Sequence, residues 1–264
     1  MTSDAQFAGS IPAIYEECLV PVLFKPFAED LVARARAIAP SSVLEVAAGT
    51  GVVSYRLAAD LPNARIVATD LNPAMLEEAA SRGAPDNLRF QPADAQALPF
   101  ADAEFELVVA QFGAMFFPDK VAAYREARRV LASGETLLFN VWDNLEANPG
   151  SAAIHLAVRD AVPEPKPEFL ARTPFGYHDE AVIEQDLRDA GFSQIRIERV
   201  ERSSPPGSAA RLARGMCLGS PLANELSSHR SEAQEEALAA AVLAAERAEA
   251  SGPLKMTALV IAAG

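Results

Sequence analysis

Basic residues are in short supply in this chain: 23 Lys and Arg stand against 36 Asp and Glu, a formal net charge of −13. That shortage argues against a polyanionic partner, because nucleic-acid binding rests on neutralising phosphates with basic side chains. Cysteine is scarcer still. Cys18 and Cys217 have neither metal-ligand spacing nor a disulfide framework, and both read as buried apolar residues. No metal site is expected. No apolar stretch reaches the roughly 20 residues that span a bilayer. The first residues, Met1 to Phe7, lack the basic start and apolar core of a signal peptide. A soluble cytoplasmic protein is the default expectation. Apolar residues, by contrast, make up 50% of the 264, enough for a sizeable core.

Read in order, the chain opens with a polar start. Phe27 to Ile38 then predicts an amphipathic helix, ended by Pro40. Strands and helices alternate from there. A buried strand at Val43–Val46 precedes a helix at 51–59, and a second strand, Arg65–Thr69, ends at Asp70. Asn72 and Pro73 supply a cap and a first helical residue. Strands at 88–91 and 105–110, a helix at 120–131, a turn at Ser133–Gly134 and a strand at 136–141 complete a βαβα order. Such an order predicts a mainly parallel sheet with helices on both faces. Beyond it, Asn148-Pro149 starts a helix, Asp179 another, and 195–200 alternates like a strand. Residues 203–253 read as a helical insertion before a last strand at 256–262. On Glu232–Ala248, Leu238, Val242 and Ala245 share one face.

The chemistry concentrates after the first strand. Ala47, Ala48 and Gly49 carry almost no side-chain bulk, so their backbone can lie against a ligand. Gly51 leads into a helix whose start presents free N–H groups. Glu45 is the odd residue, since a carboxylate in an apolar strand costs free energy unless something pairs with it. A structural ion pair, with Arg65 for example, is the plain account. The functional one is a cationic ligand: a carboxylate here repels a pyrophosphate and attracts an ammonium or sulfonium, favouring S-adenosylmethionine over a dinucleotide. The stretch Gly49-Thr-Gly51-Val-Val-Ser54 approaches the dinucleotide pattern, but a lone match of that kind is weak. Asp70 stands about twenty residues on, where doubly wound folds place an acid for ribose hydroxyls; capping the next helix is its alternative. Asp94, after the third strand, is placed to accept from an exocyclic amino group, or belongs simply to its loop. Leu71 and Ala95 offer flat apolar contacts to a purine.

Glu45–Gly51, Asp70–Leu76, Asp94–Phe100 and Phe105–Gly113 together resemble the class I S-adenosylmethionine-dependent methyltransferases. Within these the chain is similar to the small-molecule enzymes related to ubiquinone and menaquinone methyltransferases. The resemblance runs over about residues 15–200. It implies a Rossmann-like α/β fold, a doubly wound, mainly parallel seven-stranded sheet with an antiparallel last strand and a helical insertion. It implies an N-terminal helical lid (1–39), a cofactor-binding core (40–202 and 254–264) and a cap (203–253).

It also implies residue roles. Ala47, Gly49 and Gly51 would pass the methionine part of the cofactor, with Glu45 near its ammonium. Asp70 would hold the ribose, Leu71 and Ala95 the adenine faces, Asp94 the adenine amino group, and Gln111 and Phe112 would lie near the sulfonium. Tyr15 falls in the segment that such enzymes fold over the cofactor. Ala47 departs from the glycine usual at its place. A catalytic base remains unidentified; His155 and Tyr15 are the candidates, with a packed histidine and a packed aromatic as the plain accounts. Trp142 and Tyr177 are candidates to line an acceptor cavity. After the fourth strand Gln111-Phe-Gly-Ala-Met115 stands where amino-methylating nucleic-acid enzymes carry Asn/Asp-Pro-Pro-aromatic. The expected acceptor is a small organic molecule, and a homodimer is compatible. The alternatives are an adenosylmethionine-binding regulatory protein without turnover and, further off, a nucleotide-dependent oxidoreductase.

Overall fold

The computed structural model describes Asp4, Phe7 and residues 9–264. Helix α1 (Ile11–Ile14) leads into a π-helical stretch, Tyr15–Phe24, and then into α2 (Lys25–Ile38). Pro21 lies inside the π stretch. It has no N–H to donate, and a widened turn accommodates that loss. Then follow β1 (Ser42–Val46), α3 (Val52–Asp60), β2 (Arg65–Asp70), α4 (Pro73–Ala80) and β3 (Leu88–Pro92). Next come β4 (Phe105–Gln111), α5 (Lys120–Val130) and β5 (Leu131–Trp142). The rest of the chain forms α6 (Pro149–Ala161), α7 (Phe169–Arg172), α8 (Glu180–Asp189), β6 (Ile195–Ser203), α9 (Ala209–Leu218), α10 (Leu222–Leu226), α11 (Ser231–Ala250) and β7 (Lys255–Ala263).

The seven strands lie in the order β3-β2-β1-β4-β5-β7-β6. Strands β1 to β5 pair in parallel, and β7 runs antiparallel to β5 from Leu137↔Ala263 to Trp142↔Ala258. This is the doubly wound architecture expected. From β1 the chain winds outward through β2 and β3, then returns to β4 and winds the other way. The order therefore reverses between β1 and β4, and a ligand crevice belongs at their carboxyl ends.

The chain divides into two compact units. One, residues 27–142, 177–200 and 258–264, holds the bulk of the sheet. Its core is apolar strand: Val43, Leu44, Ile66, Leu107, Val108 and Phe139 are all fully buried. The other comprises 1–26, 143–176 and 201–257 and is mainly helical. Within it α11 packs on α6 and α9 through Ala237, Ala241 and Ala245. Ala245 is on that face as expected, but Ala237 and Ala241 take the places expected of Leu238 and Val242, which are half-buried. Small side chains allow the closer approach, and at Gly215 an added Cβ would stand 2.5 Å from Leu19 and 2.9 Å from Cys18.

Local chemistry departs from expectation at three places. Ser133 and Gly134 lie within β5, where the pairing with β4 shifts register between Phe105 and Leu107. The turn residues thus make an irregularity in the strand. Asn72 and Asn148 occupy the cap positions of α4 and α6 without a capping side-chain bond. The Asn148 side-chain amide donates instead to the carbonyls of Asp143, Asn144 and Thr257, tying its helix start to β7. Asp179, read as the start of its helix, caps α8 instead, accepting from Ala181 N–H at 2.9 Å.

Candidate functional site

The carboxyl ends of β1, β2 and β4 bring Glu45, Ala47, Gly49, Gly51, Asp70, Leu71 and Gln111 into the sheet unit, with Asp94 and Ala95 just past β3. Tyr15 and His155 belong to the helical unit. Tyr15 stacks on Phe24 with ring centroids 4.9 Å apart. His155 is buried on α6 with Nε2 4.0 Å from Glu168. Burial lowers its pKa; Glu168 and Glu225 oppose that shift and Arg159 adds to it. Of the candidate cavity residues, Trp142 is buried in the sheet unit, and Tyr177 donates to Asp186 there at 2.7 Å.

Glu45 is 1% exposed. Its Oε2 accepts from the Ser54 hydroxyl at 2.5 Å, the first turn of α3 reaching back to the strand. Arg65, the alternative partner, pairs with Glu104 at 3.3 Å instead. Burial pushes the Glu45 carboxyl up from 4.5 to about 8; Ser54 opposes the shift and the neighbouring Asp70 adds to it. The site thus contains a carboxyl group that holds its proton well above the usual range.

Asp70 closes the loop from the other side. Its Oδ2 accepts from Gly49 N–H and its Oδ1 from Asn72 N–H, both at 2.8 Å. One carboxylate therefore fixes both the turn after β1 and the start of α4, which goes beyond the capping role considered for it. Burial raises its pKa, and the two N–H donors oppose the shift. Leu71 beside it is 42% exposed, a large apolar side chain on the surface. Asp94 forms a tight turn with Ala97 N–H on its carbonyl at 3.0 Å and Gln96 N–H on its Oδ1 at 2.9 Å.

Between these acids the backbone takes the left-handed conformation repeatedly: Ala47 at φ 54°, Gly49 at 56° and Gly51 at 84°. For a residue with a Cβ this costs about 1 kcal/mol or more, so Ala47 is strained where a glycine would not be. Gly51 needs its lack of a side chain doubly, since a Cβ there would sit 3.3 Å from both Ala79 and the Phe90 ring. Gly113 is needed for space alone: its Cβ would fall 2.4 Å from that of Ala47. The loops after β1 and β4 therefore lie in direct contact. Thr50 Oγ1 is buried without a hydrogen-bond partner among the described residues, which suits it to pair with a polar ligand atom.

Two contributors escaped the sequence reading. Ser54 looks like any helical serine until its position under Glu45 is known. Asn140, fully buried on β5 opposite Gln111, accepts from Phe112 N–H through Oδ1 at 2.9 Å. A signal for it existed, a polar residue within Leu137-Leu-Phe-Asn-Val-Trp142, the same signal that singles out Glu45.

Comparison with known proteins agrees with this fold. The methyltransferase domain family matches residues 43–134, from β1 to the start of β5. An uncharacterized protein of Mycobacterium tuberculosis is 42% identical over 137 residues, 51% of this chain and 47% of its own length. A demethylmenaquinone methyltransferase of Thermus thermophilus is 39% identical over 122 residues, 42% of this chain and 54% of its own. The chain thus spans about half the length of these curated relatives. Phosphoethanolamine N-methyltransferase 2 of Haemonchus contortus, solved with S-adenosyl-L-methionine, shares the fold. Its TM-score is 0.63 at 14% identity, covering 100% of this chain and 60% of that one. The family match, residues 43–134, takes in the loops after β1, β2, β3 and β4, and over that stretch the chain is similar to methyltransferase domains.

Proposed function

We propose that the chain transfers the methyl group of S-adenosylmethionine to a small organic acceptor. The observation that carries this reading is the pair of buried acids, Glu45 and Asp70, set on either side of the left-handed loop and both raised in pKa by burial. A dinucleotide pyrophosphate would add negative charge to that pair; an ammonium and a sulfonium relieve it. Glu45 would face the ammonium group, and Asp70 would turn its remaining acceptor capacity to the ribose hydroxyls. Asp94 would accept from the adenine amino group, with Leu71 and Ala95 against the ring faces. Ala47 to Gly51 would approach the methionine part closely.

Bound adenosylmethionine supplies a methyl cation equivalent. An electron pair of the acceptor would form the new bond to carbon, with the S–CH3 pair returning to sulfur. What the protein contributes is alignment and exclusion of water, terms that reach large effective molarities when reactants are well held. The left-handed turn at Phe112 would set the wall nearest the transferred group. The net charge of −13 supports a small molecule over nucleic acid as acceptor.

Calorimetric titration with adenosylmethionine, adenosylhomocysteine and NADH tests the cofactor. Binding of the first two and not the third is expected, weakened at least about tenfold in Asp70→Ala, the loss of one charge-assisted contact. An unchanged affinity in Asp70→Ala would overturn the assignment. Release of adenosylhomocysteine from a panel of phenols, quinols, amines and carboxylates tests the acceptor class.

A further inference from the structure

Asn140 is a costly residue for a strand interior. It is fully buried, and its Nδ2 has no hydrogen-bond partner among the described residues. An apolar side chain of similar size would spare the fold that unsatisfied donor. Its Oδ1, however, is engaged. Phe112 N–H donates both to Asn140 Oδ1 at 2.9 Å and to Asn140 O at 3.1 Å. Phe112 itself has φ 51°, a left-handed conformation that a bulky residue rarely keeps without support. Trp142, two residues along β5 and so on the same face, stacks on the Phe112 ring at 3.8 Å and 10° between planes. Phe27 meets both rings edge-on, at 5.4 Å from Phe112 and 5.3 Å from Trp142. One face of β5 thus holds residue 112 twice, by its backbone through Asn140 and by its ring through Trp142. The turn so fixed lets Gly113 lie against Ala47.

We infer that Asn140 is a positioning residue for methyl transfer: its carboxamide oxygen sets the left-handed turn at Phe112 and so aligns the end of β4 with the sulfonium end of the cofactor. The inference rests on the proposed adenosylmethionine site. The unsatisfied amide is then the cost of an acceptor placed where this turn needs one.

Trp142 is the sole tryptophan of the chain, so its near-ultraviolet circular dichroism and fluorescence report the stack directly. Asn140→Leu keeps the number and branching of the side-chain heavy atoms and removes the acceptor. It is expected to retain the parent's thermal stability and to bind adenosine within about twofold. Adenosylmethionine should bind about tenfold more weakly, with the Trp142 dichroism band altered, because misalignment at one end of a ligand leaves the other end's contacts intact. Asn140→Ser, a smaller change, should shift the same readouts in the same direction. Asn140→Asp, which keeps the acceptor oxygen, should restore much of the adenosylmethionine affinity. Parent-like adenosylmethionine binding and an unchanged Trp142 band in the Leu or Ser variant would overturn the inference, as would equal losses for adenosine and adenosylmethionine. Failure of the parent chain to bind adenosylmethionine would instead overturn the cofactor reading itself.

Discussion

Glu45 is stable in the fold chiefly as a neutral acid, and that has a pH signature. Its carboxyl is raised from 4.5 to about 8 by burial, with Asp70 adding to the shift. Between those values the folded chain holds a proton that the unfolded chain has released, so stability falls as pH rises from about 4.5 to about 8 and is level above. Glu45→Gln removes this slope while its amide oxygen still accepts from Ser54. Urea unfolding at pH 5, 7 and 9 should show the Gln variant gaining on the parent as pH rises, by at least about 1 kcal/mol between the extremes. Adenosylmethionine affinity should move the other way, falling about tenfold or more, since the amide, unlike the carboxyl, cannot give up a proton to meet the ammonium with a charge. A difference in stability that does not change with pH would show that Glu45 is ionised throughout.

Ala47 and Gly113 form a second pair at this scale. Gly113 has φ −99°, so alanine is allowed there by its own backbone. The obstacle is the Ala47 Cβ, 2.4 Å from the Cβ it would add. Gly113→Ala should therefore cost about 1–3 kcal/mol through overpacking. Ala47→Gly should be near neutral alone, relief of the left-handed strain offsetting the extra freedom of the unfolded chain. Combined, the two should recover most of the loss, a coupling above about 1 kcal/mol in a double-mutant cycle. Additive effects would mean that the two loops are not in contact.

At the scale of elements, α5 holds the loop that follows Asp94. Arg129 donates to the carbonyl of Leu98 at 2.9 Å and that of Phe100 at 2.8 Å, and pairs with Asp102 and Glu126. Glu126 in turn accepts from Leu98 N–H at 2.8 Å. One guanidinium thus gathers a loop that has no strand or helix of its own. Lysine lacks the fork needed to serve two carbonyls and two carboxylates together. Arg129→Lys should lower stability by about 1–2 kcal/mol and, with the loop at the adenine end as proposed, weaken adenosylmethionine and adenosine binding equally, a few-fold each. An effect on adenosylmethionine alone would place the loop's influence elsewhere.

Legibility in the sequence followed the physics of each feature. The β1 to β5 alternation, Glu45, Asp70 and the small-residue loop could be read because periodicity, burial cost and bulk are written locally. Ser54 under Glu45, Arg129 on the loop and Asn140 on Phe112 could not be read as partners, because each bond joins residues that only the fold brings together. Asn140 is the instructive case, since its residue type in that strand was a visible anomaly and only its purpose was hidden. The π stretch at Tyr15–Phe24 and the register shift within β5 escaped for another reason. Both are small departures from regular geometry, and the residues that mark them, Pro21 and Gly134, also read as ordinary breaks.

At the scale of the whole molecule the dominant quantity is charge. With 36 acidic against 23 basic residues, the compact state gathers more repulsion than attraction among its surface groups, and unfolding relieves it by separating them. Many of the basic residues are already committed: Arg34 to Asp30 and Glu198, Arg172 to Asp4 and Glu225, Arg199 to Glu180. The remaining carboxylates therefore see mostly one another. Such repulsion acts over the roughly 30 Å Debye length of 10 mM salt and is cut to about 8 Å at 150 mM, while the short contacts of the ion pairs persist. Raising the salt should accordingly stabilise the chain, whereas a protein held chiefly by surface ion pairs would be weakened. We expect Tm at pH 7.5 to rise by a few degrees between 10 mM and 150 mM sodium chloride, about 1 kcal/mol for a chain of this size. The same increase at pH 5, nearer the sequence pI of about 4.7, should have a smaller effect, because many carboxylates have begun to protonate. A fall in Tm with salt at pH 7.5 would show that the ion pairs outweigh the net repulsion.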